Sequence, residues 1–308
     1  MSNKVYEIVT ERIIALLKKG VVPWRKPWNV ENGPRTPRNL ISGKPYRGIN
    51  VFLLACTEFR SPYFLTFRQA KARGGSVRKG EHGFPVTFWK ILDKVDDERK
   101  VVDHIPLLRY YTVFNVDQCD GVNYPRDTAP ATFNPVEAAE SVVKAIPSPR
   151  PSIRHDGETG RGPAGETFEA FYRHATDTVH LPAPELFERP EFYYSTLFHE
   201  VIHATGHKDR LDRLDLATYS RRDGTRPREE LTAEMGAAFL CAHVGIEQAT
   251  IENSAAYIAS WLTALQNDPR LVVQAAGQAQ RAADWVLGVK REEEASTTDG
   301  AELASAAD

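Results

Sequence analysis

The chain has 308 residues, with 39 Lys and Arg against 41 Asp and Glu, and so carries a formal charge of −2. A composition of 42% hydrophobic and 26% charged residues is typical of a globular protein and excludes collagen, a coiled coil and a wholly disordered chain. The charge is unevenly distributed: residues 1–90 carry 17 basic and 5 acidic side chains (17 − 5 = +12), and residues 91–308 carry 22 and 36 (22 − 36 = −14). This length and this charge division predict two domains.

Three absences predict a cytoplasmic protein. No window approaches the ~18 consecutive apolar residues that a membrane span requires. The N-terminal segment mixes charged and apolar residues, whereas a signal peptide would hold an uninterrupted apolar stretch. Cys56, Cys119 and Cys241 are far apart and odd in number, so they do not form a disulfide framework. We therefore expect a chain that neither crosses a membrane nor is secreted.

The first predicted domain covers residues 1–119 and mixes helices with strands. Apolar residues recur every three or four positions over 4–19, and Gly20 follows where a helix cap belongs, so the chain should begin with a helix. A long loop rich in Pro, Gly and Asn comes next. A short helix at 51–56, a helix or turn at FRQAKA, and strands at FPVTFWKIL and LRYYTVFNV complete the domain.

A second mixed domain is predicted over residues 136–290, after a proline-containing linker at 120–135. It should contain a helix around VEAAESVVKAI, a strand pair near AFYRHATDTVHLP, a helix from about 190 to 206, and a last helix opened by Asp268 and Pro269. The tail at 291–308 has almost no large apolar residue and is predicted to be disordered. The predicted fold class is therefore α+β in two domains.

The most specific motif of the sequence predicts a metal site. Residues 199–207 read HEVIHATGH. Histidines four positions apart lie on one face of a helix, so His199 and His203 can reach a single ion. Glu200 lies beside them, where it can take a proton from a water at that ion. This HExxH arrangement is typical of zinc metallopeptidases, and it predicts one Zn²⁺ per chain, two histidine ligands and Glu200 as the catalytic base.

The third ligand must come from another segment. Metzincin spacing would place it at Asp209, but Met235 lies inside a helical pattern and leaves no counterpart of the Met-turn. The segment REELTAEMGAAFLCAHVG instead predicts a second helix with Glu230 and Glu234 one turn apart. We favour Glu234, because small residues at 233, 236 and 237 allow the helices to approach closely there. Glu230 is the alternative.

Aromatic rings and cations recur together in the basic half. Five basic residues and no acidic residue lie between positions 68 and 79, and the preceding loop contains Trp-Arg-Lys-Pro-Trp and Tyr-Arg. Cations neutralise phosphates, and rings stack on unpaired bases at ~1–3 kcal/mol each, a combination that favours single-stranded DNA. No helix-turn-helix or zinc-finger pattern suggests reading of a duplex. The predicted DNA-binding residues are Trp24, Arg25, Lys26, Trp28, Tyr46, Arg47, Arg68, Lys71, Arg73, Arg78 and Lys79.

These segments resemble a known family over nearly the whole chain. LLKKGVVPWRKPW, SGKPYRGIN, LTFRQAKARGGSVRKGEHGFPVTFWK and LRYYTVFNVDQC resemble the N-terminal single-stranded-DNA-binding domain of ArdC-type antirestriction proteins, which is similar to part of the TraC primases. TDTVHLP, LFHEVIHATGH, REELTAEMGAAFLCA and AAYIASWLTAL resemble the zincin-like metallopeptidase domain that follows it. The resemblance implies a plasmid- or phage-encoded bacterial protein that protects incoming DNA from host restriction. One departure is visible: Arg226 and Pro227 stand where a tyrosine would be expected before the EEL segment.

Three functional interpretations follow from the sequence. The first is an antirestriction protein that binds single-stranded DNA and carries a zinc peptidase domain. The second is a cytosolic zinc metallopeptidase that cleaves a host protein and uses the basic domain for docking. The third is a primase-associated DNA module with a structural metal, which ranks last because the basic domain offers no evident carboxylate cluster for magnesium. The oligomeric state does not follow from the sequence.

Overall fold

A computed structural model describes residues 2–24, 36–57, 59, 61–95, 101–125, 134–156, 170–213, 225–246 and 255–289. These residues form two compact units, one made of 2–19 and 36–125, and the other of 20–24 and 134–289. Three of the predicted DNA-binding residues, Arg25, Lys26 and Trp28, lie outside the described residues, as does the predicted disordered tail. Within the described ranges, no helix combines the length and the apolar character needed to cross a membrane.

The first unit is built on a four-stranded sheet with the strand order β1-β2-β5-β4. The long antiparallel pair β4 and β5 dominates it, with Phe84 opposite Val113 and Trp89 opposite Leu108. A separate two-stranded sheet pairs β3 with β6. The six strands are β1 Arg38–Asn39, β2 Tyr63–Leu65, β3 Ser76–Val77, β4 Phe84–Val95, β5 Val101–Asn115 and β6 Cys119–Asp120.

Three helices accompany these sheets: α1 Ser2–Lys18, α2 Ile49–Ala55 and α3 Phe67–Ala72. Helix α1 buries Val9, Ile13 and Leu17, the apolar stripe that the sequence predicts. Gly20 follows it with a φ of 76°, a left-handed conformation that glycine adopts without strain. Helix α3 begins with a capping box, in which Thr66 accepts from the Gln69 backbone and Gln69 accepts from the Thr66 backbone.

The second unit packs helices against a small sheet with the order β7-β9-β8. Its strands are β7 Ser152–Arg154, β8 Phe171–Arg173 and β9 Thr178–His180, and its helices are α4 Pro135–Ala145, α5 Pro190–Ala204, α6 Thr225–His243, α7 Ala255–Asn267 and α8 Leu271–Val286. Helices α5 and α6 meet in the core. A Cβ on Gly236 would lie 2.8 Å from the Ile202 side chain, so only glycine allows this approach.

The α+β architecture in two domains is confirmed, and most predicted elements lie within a few residues of the observed ones. The last helix is an exception. Asp268 binds the backbone N–H of Arg270 at 2.9 Å, but the helix begins only at Leu271. The short strands β1, β2, β3, β6 and β7 were not predicted, because two or three residues carry no readable periodicity.

Candidate metal centre and nucleic-acid interface

Helix α5 presents both histidines of the HExxH segment on one face. The Nε2 atoms of His199 and His203 lie 3.2 Å apart. Glu200 is buried in the same turn, and its negative charge acts on His199. Helix α5 therefore brings together the two nitrogen donors and the carboxylate that the sequence predicts.

Glu230 completes the donor set from helix α6. Its Oε2 atom lies 3.8 Å from Nε2 of His199 and 3.9 Å from Nε2 of His203. The three donors all lie within 4.8 Å of one another and form a group that can hold a metal ion. Tetrahedral zinc with ~2.0–2.1 Å bonds holds its donors about 3.3 Å apart, so the two nitrogens already fit and the carboxylate lies slightly outside that distance.

The described residues thus group Glu230, the alternative of the sequence analysis, with the two histidines in place of the favoured Glu234. Gly236 allows close helix contact with Ile202, as the small residues around Glu234 predict. That contact is made by the apolar faces of the helices, however, and Glu230 turns towards the histidines one turn earlier. Glu234 is buried nearby, and its charge also acts on His199.

The electrostatics of the centre favour a positive charge. Burial alone would lower the pKa of His199, but the neighbouring carboxylates of Glu230, Glu200 and Glu234 raise it to about 9. Surroundings that stabilise a protonated imidazole also stabilise a metal cation at the same position. Three carboxylates around two imidazoles thus suit a divalent ion.

A fully buried carboxylate that the sequence reading missed orients His203. Nδ1 of His203 donates to Oε1 of Glu229 at 3.1 Å, which leaves the lone pair of Nε2 directed at the donor group. Burial alone would raise the pKa of Glu229, but His203 and Arg213 more than offset this and lower it. Glu229 thus stays ionised although it is buried.

Arg213 provides the countercharge. Its Nε donates to Glu229 Oε2 at 3.0 Å, and its Nη1 donates to the Thr205 hydroxyl at 2.6 Å. Its Nη2 donates to the carbonyl of Ile202 at 2.8 Å. A Cβ on Gly206 would lie 3.0 Å from Nη2 of Arg213, so this glycine leaves the guanidinium the room it needs. Only the folded loop after α5 brings Arg213 to Glu229, which is why sequence spacing alone did not reveal the pair.

We expect Glu229→Gln to weaken metal binding about 10–100-fold, since an uncharged amide is a poorer acceptor for the Nδ1–H of His203. Isothermal titration of the stripped protein with Zn²⁺ measures this. Glu140→Gln is the matched control, because Glu140 accepts a hydrogen bond from Tyr194 on the same helix α5 and lies outside the donor group. Equal affinities of Glu229→Gln and the unmodified protein would remove the positioning role.

The structure separates the predicted DNA-binding residues into buried aromatic residues and exposed cations. Trp24 is fully buried in the second unit, where its ring meets the edge of Trp261 at 6.0 Å and its Nε1 donates to Tyr257 at 3.5 Å. Tyr46 is buried in the first unit, against Phe64 at 6.3 Å. Both rings are core residues, and the expectation that they stack on bases is corrected.

Most of the predicted cations are exposed. Arg78 is held locally, because it pairs with Glu81 at 2.9 Å and donates to the carbonyl of Asp117 at 2.6 Å. Gly75 lies so close to Asp120 that a Cβ would come within 2.6 Å of that carbonyl, which fixes the turn after α3. The exposed predicted cations are Arg47, Arg68, Lys71, Arg73, Arg78 and Lys79.

Comparison with known proteins assigns the family. Residues 3–114 match the N-terminal domain of the anti-restriction factor ArdC, and residues 161–278 match a zincin-like metallopeptidase domain. The crystal structure of the antirestriction ArdC protein from plasmid R388, in its metal-free form, superimposes with a TM-score of 0.69 at 38% identity, over 91% of this chain and 96% of that one. The chain belongs to the ArdC antirestriction family. Its second unit therefore carries a zincin-like metallopeptidase domain, and such a domain implies a metal.

Other ArdC relatives differ in length and in metal. A Mn(II)-bound structure of the R388 ArdC protein matches equally well, with a TM-score of 0.69 over 92% of this chain. An uncharacterized protein of Sinorhizobium fredii, y4eC, is 36% identical over 92% of this chain and 91% of its own length. A DNA primase TraC of Escherichia coli is 37% identical over 94% of this chain. The chain spans only 27% of that primase, about a quarter of its length.

Proposed function

We propose that this protein binds single-stranded DNA through its first unit and thereby protects incoming plasmid or phage DNA from host restriction in the bacterial cytoplasm. The observation that carries the proposal is the exposed group of cations on and after α3, Arg68, Lys71, Arg73 and Lys79, within a segment that has no acidic residue between 68 and 79. Such a group attracts phosphates whatever the base sequence. The family supports the antirestriction role, because its solved member is named as an antirestriction protein.

The direct test is a fluorescence anisotropy titration of the full chain with a labelled oligonucleotide and with its duplex. We expect tighter binding of the single strand and a steep loss of affinity with rising salt, with a slope of about −0.7 per phosphate contacted. Equal or tighter binding of the duplex at every salt concentration would contradict the proposal. It would instead favour recognition of phosphates alone.

The second unit is proposed to be a zinc-dependent peptidase. Two imidazoles and one carboxylate from His199, His203 and Glu230 form the donor group. Imidazole suits zinc, and the R388 ArdC protein is also described in a Mn(II)-bound form. When bound, zinc supplies Lewis acidity and lowers the pKa of water.

Side chains of the protein transfer the proton and position the metal ligands. Glu200 accepts a proton from the attacking water on its carboxylate and passes it to the leaving amine. Glu229 holds the ring of His203 through Nδ1, and Arg213 keeps Glu229 charged. The alternative function, cleavage of a host protein with the first unit as a docking module, rests on this same donor group.

A further inference from the structure

Two large aromatic side chains are exposed on the long hairpin of the first unit. Trp89 on β4 keeps 55% of its surface accessible and Tyr110 on β5 keeps 46%. They are the most exposed Trp and Tyr of the described residues, and each combines an apolar ring with a polar tip. Burying such rings in a core is the usual outcome, so two of them exposed on one hairpin indicate a surface that meets a partner.

The hairpin register places both rings on one face. Tyr110 lies opposite Thr87, and Trp89 is two residues along β4 from Thr87. Side chains two apart on a strand share a face, and so do directly opposed residues, which makes Trp89 and Tyr110 diagonal neighbours about 7–8 Å apart. Two adjacent rings of this kind can each receive one base of a single strand.

Asn50 fixes the backbone of β4 at Thr87, the residue opposite Tyr110. Its side-chain amide donates to the carbonyl of Thr87 at 2.7 Å and accepts from the N–H of Thr87 at 2.7 Å. Both outward-facing backbone groups of Thr87 are therefore paired, although β4 lies at the edge of the sheet. A strand fixed in this way lowers the backbone ordering cost of binding.

The strand segments that carry the rings contain no acidic residue. The part of the hairpin at 84–90 and 107–115 contains Lys90 and Arg109 and no acidic residue, a net charge of +2. Lys90 and Arg109 are both exposed, but as the direct sequence neighbours of Trp89 and Tyr110 they project from the opposite face of the hairpin. The sequence between these two segments, 91–106, has 3 basic and 5 acidic residues (3 − 5 = −2). The segments that carry the rings therefore repel no phosphate, and the phosphate contacts must come from other cations of the first unit.

We propose that Trp89 and Tyr110 form the platform on which bases of single-stranded DNA stack. The inference rests on the proposed function and replaces Trp24 and Tyr46, which are buried, with rings that are accessible. Stacking uses the face of any base, so this platform binds without sequence preference. Cations such as Lys71, Arg73 and Lys79 supply the phosphate contacts.

The test compares ring variants of the full chain in anisotropy titrations with a labelled single strand. Trp89→Ala and Tyr110→Ala should each weaken binding about 10-fold with an unchanged salt slope, because a ring is lost and no phosphate contact is. Trp89→Phe and Tyr110→Phe should stay within about 3-fold of the unmodified protein, since they keep a ring. Trp89→Leu keeps apolar bulk without a ring and should behave like Trp89→Ala.

Leu186→Ala is the matched control, as Leu186 is an apolar residue of the second unit that is 56% exposed. Circular dichroism establishes that each variant folds, and Trp89→Leu keeps the test valid where Trp89→Ala does not fold. Undiminished single-strand binding by Trp89→Ala and Tyr110→Ala, with the unmodified protein binding tightly, would overturn the platform and leave the proposed function standing. Absence of single-strand binding by the unmodified protein would overturn the proposed function itself. A change in sedimentation with unchanged DNA affinity would show that the rings contact a second copy of the chain, which also overturns the platform.

Discussion

His203→Ala is expected to reduce the metal content from about one ion per chain to nearly none. The substitution removes one nitrogen donor and leaves the buried carboxylate of Glu229 without its imidazole partner. Glu200→Gln should keep the ion, because Glu200 acts on water and lies outside the donor group. Elemental analysis of the purified variants measures both outcomes.

The same analysis assigns the third ligand. Glu230→Ala should lose more metal than Glu234→Ala, since among the described residues Glu230 supplies the carboxylate grouped with both histidines. The reverse order would return the role to Glu234. Stoichiometric metal in His203→Ala would refute the centre as a whole.

The second large effect concerns the cations of the first unit. The triple substitution of Lys71, Arg73 and Lys79 by Ala should abolish single-strand binding at physiological salt. Protection from restriction should be lost with it. Three lost phosphate contacts reduce the salt slope by about 2. Arg78 is left unchanged, because its ion pair with Glu81 serves the local fold.

Protection is measured as the ratio of plasmid transfer into restricting and non-restricting recipients. Lys144, Arg150 and Lys208, three exposed cations of the second unit, provide a control triple with the same loss of charge. The control should retain binding and protection. Equal loss in the two triples would mean that net charge, and not the surface around α3, determines DNA binding.

Much of the fold was predictable, because it depends on local patterns. The stripe of Val9, Ile13 and Leu17 identified α1, and the two long apolar segments identified the hairpin of β4 and β5. The histidine spacing identified α5 as the helix that carries the metal donors. These features need only the period of a helix or strand and the chemistry of a ligand.

The choice between Glu230 and Glu234 was not predictable in this way. Both lie on one face of α6, and the donor depends on how far α6 is rotated and shifted against α5. That position is set by tertiary packing, including the contact of Gly236 with Ile202. The pairing of Glu229 with Arg213 has the same cause, since the loop that returns Arg213 to the helix has no periodic signal.

Which aromatic residues are exposed was also not predictable from the sequence. Trp24 lies in a basic, proline-rich stretch, yet it packs on Trp261 more than 200 positions away, with a sequence separation of 233 to its hydrogen-bond partner Tyr257. Trp89 and Tyr110 lie in apolar strands that predict burial, and only the register shows that they share an exposed face. Composition identified the kind of ligand, and tertiary structure determined which rings are available to it.

The central claim is that protection comes from DNA binding and not from proteolysis. The measurement that tests it most directly is the transfer ratio into restricting and non-restricting recipients for Glu200→Gln, with its metal content and single-strand affinity determined on the same protein. Because Glu200→Gln removes the proton acceptor and leaves the donor group and the first unit intact, we predict protection equal to that of the unmodified protein. Loss of protection in Glu200→Gln, with metal content and DNA affinity unchanged, would contradict the claim and show that a host protein must be cut.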